Sequence, residues 1–172
     1  MSCILPWHET AAFVRTVQTF FFKDGDKWGF LFEKVKRDAS PISREFLAKR
    51  AIVDSSVLQT AFYAVQWLYQ QQQSPAMYCS FWLEVALSMV SLMKPEPKSL
   101  YALLLPMCES AARSRPYEHL QIAGYMLFAA LMQKYEAVLD NYSQMLEAFM
   151  TKAKAMATSE SRKYLLRIEE AL

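Results

Sequence analysis

Two stretches in the second half of the chain constrain its fold most. Residues 99–114 are apolar at Leu100, Leu103, Leu104, Met107, Cys108 and Ala111. Residues 116–135 are apolar at Leu120, Ile122, Ala123, Met126, Leu127, Ala130 and Leu131. Both sets recur at the spacing of one helix face. Pro106 lies inside the first arm, Gly124 among the small residues of the second, and Pro116 stands where a proline can open that second arm. Two amphipathic helices joined by a short turn have no core of their own; each covers its apolar face against neighbours of the same kind. The pattern therefore predicts an all-α chain, built as a HEAT-like α-solenoid of stacked antiparallel helix pairs.

The rest of the chain reads in the same grammar. Residues 8–22 predict a first helix with Phe13, Val17, Phe20 and Phe21 on one face, Arg15, Gln18 and Thr19 away from it, Pro6 upstream and Gly25 past its end. A short helical piece follows at 27–36, and Asp38-Ala39-Ser40-Pro41 breaks it. Residues 43–53 predict a compact helix, and Asp54 suits the N-cap of the next. In that next helix Val57, Leu58, Ala61, Phe62, Val65, Leu68 and Tyr69 form the buried stripe. Tyr63 and Trp67 fall on the other side, among Gln59, Gln66 and Gln70, where they either pack against an adjacent layer or loop, or face a partner. The glutamines at 70–73 read as a helix end and linker. Residues 75–93 carry a narrow polar stripe, Ser80, Glu84, Ser88 and Ser91, on an otherwise apolar cylinder, which predicts an inner helix covered on several sides. Lys94-Pro95-Glu96-Pro97 breaks the chain before the hairpin. A helix over 138–154 and a last one capped by Thr158 or Ser159 bring the total to about seven to nine. The pattern stops without a polar closing repeat, so residues 1–172 read as one segment of a longer solenoid.

Composition narrows the function classes. Apolar residues make up 53% of the chain, too many for disorder, and three glycines are too few for a turn-rich β fold or a phosphate-cradling loop. The net charge of +2 is evenly spread, which is no polyanion footprint. Local excesses exist. Lys34, Lys36, Arg37, Arg44, Lys49 and Arg50 outnumber Asp38 and Glu45, and Lys152, Lys154, Arg162, Lys163 and Arg167 outnumber Glu160. Each cluster reads either as solvated helix faces or as a contact for RNA phosphates or an acidic partner. Trp28, Phe30 and Phe32 interleave with Lys27, Lys34 and Lys36. That pattern suits stacking on single-stranded nucleic acid, but a hydrophobic staple holding a loop against the helices is the preferred reading.

Catalytic signatures are missing. Cys79 and Cys108 lie in apolar runs and, with Cys3, are odd in number and widely spaced, so they read as reduced thiols of a cytosolic or nuclear protein. His8 and His119 are the only histidines, and neither stands at a metal-ligand spacing. There is no Gly-x-Ser-x-Gly elbow, phosphate loop or Cys-x-x-Cys pair. Glu169 and Glu170, adjacent on a helix, point apart and form no dyad. Pro6, Trp7, His8 and Glu9 interrupt the short apolar start, so no signal peptide is visible, and the longest apolar stretch, 77–93, contains Glu84 and is too short for a comfortable span. The sequence predicts no catalytic residue, cofactor, metal, small-molecule substrate or membrane contact.

One segment is more specific. The run from Cys3 through Leu5-Pro6-Trp7-His8-Glu9-Thr10 to Phe13-Val14-Arg15 and Val17-Gln18 resembles the N-terminal region of a family of large HEAT-repeat proteins of the small-subunit processome. This is the U3 small nucleolar RNA-associated protein 10, or HEAT repeat-containing protein 1, family. Trp28, Leu31, Val35, Lys36 and Pro41 resemble its next segment more loosely, as does Gln121-Ile122-Ala123 in the hairpin. The resemblance implies a non-enzymatic nucleolar scaffold in ribosome biogenesis. It would dock other processome subunits, and pre-rRNA, during pre-rRNA processing and linked rDNA transcription. It also implies structural roles for Leu5, Pro6, Trp7, His8, Glu9, Thr10, Phe13 and Arg15. Pro6 would set a helix start with Glu9 or Thr10 in the first turn, Phe13 and Val17 would face the core, and Arg15 would pair with a neighbouring helix or partner. Lys34, Lys36, Arg37, Arg44, Lys49, Arg50 and Trp67 are the candidate contacts for partner or RNA. The alternatives are a HEAT-like adaptor of another pathway, against which the Leu5-to-Arg15 run speaks, and a helical module that binds RNA directly, with affinity falling steeply in salt.

Overall fold

A computed structural model describes residues 2–134, apart from 24, 74, 94–96, 115 and 116, together with 147, 150, 151, 154, 155, 162 and 166. Among the described residues it holds seven α-helices, one 3₁₀ helix and no strand. The expected break at Lys94-Pro95-Glu96, the helix opening at Pro116 and the last, capped helix after Thr158 or Ser159 lie outside the described residues, as does nearly all of the helix expected over 138–154.

Local side-chain chemistry sets the boundaries at the N-terminus. Residues Ser2–Trp7 form the 3₁₀ helix, which contains Pro6, and Thr10 caps α1 (Ala11–Gln18) by accepting from the Phe13 N–H at 3.1 Å. Thr10, not Pro6, therefore starts this helix, and the expected span of 8–22 is shortened at both ends. At the far end the Thr16 and Thr19 hydroxyls donate to the carbonyls of Ala12 and Thr16, and the aromatic run beyond them has little helix propensity. Phe13, Val14 and Val17 are buried on α1, whereas Phe20 and Phe21, expected on the same face, fall past its end and stand 40% and 103% exposed.

α2 (Gly29–Asp38) stops at Ala39, whose N–H still donates to the Val35 carbonyl and whose left-handed φ of 47° turns the following chain out of the helix. α3 (Arg44–Val53) is capped by Ser43. α4 spans Ser56–Gln70. Asp54, expected as its N-cap, instead closes α3, yet its carboxylate accepts from the Ser56 N–H at 3.1 Å and so still serves an orphan donor at the start of α4. α5 (Ala76–Leu92), α6 (Pro97–Ala112) and α7 (Glu118–Lys134) follow.

α5 is the inner helix that its apolar circumference predicts. It packs against α3, α4 and α7 and buries Trp82, Val85, Ala86 and Met89. The Trp82 ring lies 4.8 Å from that of Phe62 on α4. α6 and α7 form the hairpin. Gln121 donates to the Ala112 carbonyl, while three residues later Gly124 lies against Cys108 and Ala111, so the two arms run antiparallel. A Cβ at Gly124 would meet the Ala111 Cβ at 2.8 Å and the Cys108 carbonyl oxygen at 3.1 Å; the residue is glycine because the helices touch there. The buried face of α7 is Leu120, Ala123, Gly124, Leu127, Phe128 and Leu131; Met126, expected on it, is 38% exposed because its position turns it off that face.

Contacts that link α3 to α5, α4 to α6 and α5 to α7 join residues 40 to 44 positions apart. The Cys79 thiol donates to the His119 carbonyl at 3.6 Å, 40 positions on. At the other end of the same two helices the Lys134 amine donates to the carbonyls of Val90 and Ser91, 44 and 43 positions back, so α5 and α7 run parallel. Arg44 on α3 pairs with Glu84 on α5, and Gln66 on α4 donates to Ser110 on α6, 44 positions on, at 2.8 Å. Lys134 also brings a cation to the carbonyl end of α5, where the helix dipole favours it.

Candidate functional site

The residues of the Leu5-to-Arg15 run form a clasp. Leu5 and His8 are buried. The His8 carbonyl accepts from the Ile42 N–H at 2.9 Å, and His8 Nδ1 donates to the Ile42 carbonyl at 2.5 Å. A carbonyl only accepts, so the proton sits on Nδ1. The ring rests on Phe81 of α5, 5.5 Å between centroids. His8 thus satisfies both main-chain groups of a fully buried Ile42 and fastens the α2–α3 connection to the first segment and to α5. Trp7 meets Tyr78 edge-on at 6.0 Å. Pro6 is half-buried, and Glu9 and Arg15 are exposed.

The six cations expected as contacts gather on α2 and α3, but each comes with a partner. Asp38 takes Lys34 and, at 2.8 Å, Arg37; Glu45 takes Lys49 at 2.6 Å; Asp54 takes Arg50 at 3.5 Å; Glu84 takes Arg44 at 2.8 Å. Counting charges along the sequence missed two of these carboxylates, because Asp54 lies just beyond the cluster and Glu84 is delivered by α5. The Lys36 amine lies 5.7 Å from the centre of the Phe32 ring. Arg50 covers Phe30, Lys34 covers Phe46 and Lys27 covers Trp28 at 4.9, 5.4 and 5.3 Å. Trp28 is buried, and Phe30 and Phe32 pack half-buried against the core, as a staple does. The hydrogen bond from Arg37, then that from Lys34, holds the Asp38 carboxyl down at about 2. Lys49 lowers the Glu45 carboxyl, and the bond from Ser56 lowers that of Asp54. Of the second basic cluster, Arg162 and Lys154 are exposed, and Lys152, Lys163 and Arg167 lie outside the described residues.

Trp67 and Tyr63 stand 57% and 66% exposed, so an adjacent layer does not explain either. Beside them a groove of about 330 Å³ separates α4 from α6. Gln59, Tyr63 and Gln66 line one wall and Ala102, Leu103 and Pro106 the other; among the described residues no Asp, Glu, Lys or Arg lines it. Pro106, which carries no N–H to extend the helical hydrogen bonding of α6, stands in the wall of this groove. The sequence marks Trp67 but not the groove. The legible signal was the proline inside an apolar helix.

The Cys79 and Cys108 thiols are free and buried. Burial pushes Cys79 up to about 12 and Cys108 higher still, which keeps both protonated and unreactive at neutral pH. Among the described residues no group of three His, Cys, Asp or Glu side chains is placed to hold a metal ion, and no helix is long and apolar enough to cross a membrane. The chain matches no protein-family model and no curated protein.

Proposed function

We propose that the chain is a segment of a HEAT-type scaffold that docks partners in the early small-subunit processome. In this reading it works in the nucleolus, in pre-rRNA processing and the rDNA transcription linked to it, and performs no chemistry. One observation carries the architectural half. Contacts from α3 to α5, from α4 to α6 and from α5 to α7 join residues 40 to 44 positions apart, within the roughly 40–47 residues of a HEAT-type repeat. Helix pairs repeated at that distance cover one another's apolar faces and leave an extended surface for docking.

The processome half rests on the resemblance at residues 3–18. Leu5, His8 and Phe13 of that run are buried, which supports the structural roles it implies for them. Binding strength in such a scaffold comes from contact area and a few anchors, and Tyr63 and Trp67 are exposed aromatics of that kind. The ion pairs within the α2–α3 cluster favour a protein partner over RNA, because cations already matched by carboxylates displace few counterions from a phosphate backbone. Affinity purification of the full-length protein containing this chain, followed by mass spectrometry after nuclease treatment, tests the reading. Recovery of small-subunit assembly factors is the expected outcome. A purified complex without any pre-ribosomal protein overturns it.

A further inference from the structure

We propose that Ser40 is a phosphate-acceptor site for a proline-directed serine/threonine kinase, and that the His8 clasp on Ile42 limits access to it. The inference does not rest on the scaffold reading. The chain holds two Ser-Pro dipeptides, Ser40-Pro41 and Ser74-Pro75. A proline after the serine brings no N–H and holds the serine extended, the two features by which such a kinase selects its substrate. The two prolines differ in access. Pro41 is exposed on the connection over residues 39–43, between α2 and α3. Pro75 is buried at the start of α5, where its carbonyl accepts from the Cys79 N–H at 2.8 Å. Ser40 itself is half-exposed, and its hydroxyl has no hydrogen-bond partner among the described residues. Ser43, three residues on, has no proline after it, and its hydroxyl is engaged as the cap of α3.

Access to Ser40 is gated. A kinase takes the residues around its acceptor in extended form. Two residues past Ser40, Ile42 is fully buried, and His8 bonds both of its main-chain groups. Two residues before it, Asp38 ends α2. The segment must leave His8 before it enters the cleft, and the frequency of that local opening sets the rate of labelling. In the transfer, Ser40 Oγ forms a bond to the γ-phosphorus of Mg-ATP as the bond from that phosphorus to ADP breaks. The hydroxyl proton passes to the catalytic carboxylate of the kinase. The product carries a charge of about −2 close to Asp38 and the carbonyl end of α2, both of which oppose re-closure.

The test treats the intact chain with Mg-ATP and a cyclin-dependent kinase. Mass spectrometry then follows the tryptic peptide Asp38–Arg44, whose fragments separate Ser40 from Ser43. Phosphate is expected on Ser40 of the native chain and is expected to be lost in Ser40→Ala and Pro41→Ala. Neither side chain is buried, so both variants keep the fold. Labelling of Ser40 should run at least about fivefold faster in His8→Ala. His8→Phe, which keeps a ring against Phe81 but has no donor for Ile42, repeats the measurement should His8→Ala fail to fold by circular dichroism. Hydrogen exchange over residues 36–43 should be faster in the phosphorylated chain. In the protein isolated from its own cells with phosphatase inhibitors present, the same peptide should be found phosphorylated on Ser40. Phosphate on Ser43 or Ser74 in place of Ser40, labelling of Ser40 only after unfolding in urea, persistence in Pro41→Ala, or an unchanged rate in a folded His8 variant overturns the proposal. So does unchanged exchange after phosphorylation, or recovery of the cellular peptide in unmodified form alone.

Discussion

The first three helices and the last four described ones are held together by different physics. α1, α2 and α3 are 8, 10 and 10 residues long, below the length at which a helix sustains itself. Each buries only two or three side chains, and the region is completed by ion pairs, cations over rings and the His8 clasp. α4 to α7 run 15 to 17 residues. They bury continuous stripes, and at Gly124 two of them touch backbone to side chain. Long apolar rods need only suitable neighbours. Short ones must recruit directional contacts, and that recruitment consumes the very cations and aromatics that look like a binding surface in the sequence.

If this contrast is right, deleting packing in the second region hurts most. Trp82→Ala removes the largest fully buried side chain, which sits against Phe62. It should lower stability by about 3–5 kcal/mol in denaturant unfolding. A loss under about 1 kcal/mol would mean that α5 is not the shared core of the stack. His8→Ala should come next, at roughly 1–3 kcal/mol, since it leaves the buried Ile42 carbonyl without its donor. Its signature is regional: hydrogen exchange should accelerate in α1–α3 and their connections while α5 and α7 stay protected. Uniform acceleration would erase the distinction between the regions. Gly124→Ala gains about 1 kcal/mol of helix propensity but forces a Cβ against Ala111 and the α6 backbone. Overpacking of about 1–3 kcal/mol should win, for a net destabilisation of about 1 kcal/mol, and a stabilised variant would show that the hairpin has slack.

The same contrast explains what was legible. The helices of the second region announced themselves, because periodic apolar residues over four turns admit one reading, and the inner position of α5 followed from its narrow polar stripe. In the first region the aromatic run after Gln18 mimicked a continuing helix face, while the threonine hydroxyls at 16 and 19 drew the backbone away from it. A window of sequence also counted cations without the carboxylate that another helix supplies, as Glu84 does for Arg44. Trp28 is buried and Phe30 and Phe32 pack half-buried against the core as a staple would, but they do so from α2 and its N-cap, not from a loop. The α4–α6 groove was out of reach: it depends on two helices 44 positions apart lying side by side, and only Pro106 hinted at it.

The smallest expected effect tests the electrostatic half of the contrast. Asp38 is held at about 2 by Arg37 and Lys34, against about 3.9 for an unfolded aspartate. A carboxyl with a lowered folded value stabilises above its unfolded value, so its contribution is complete above about pH 4–5 and disappears as pH falls through about 2. A carbon-detected NMR titration of the folded protein should therefore place the Asp38 midpoint near 2, and Arg37→Ala should move it upward, toward the ordinary carboxylate range. Because the pair is solvent-exposed, its effect on global unfolding should be slight. At 1 M salt the screening length falls to about 3 Å. Exchange in α2 should then quicken modestly while α5 and α7 remain unchanged. Equal salt sensitivity in both regions would mean that apolar packing, not paired charge, already suffices to hold the short helices, and that the cations on α2 and α3 are less committed to their carboxylates than their geometry indicates.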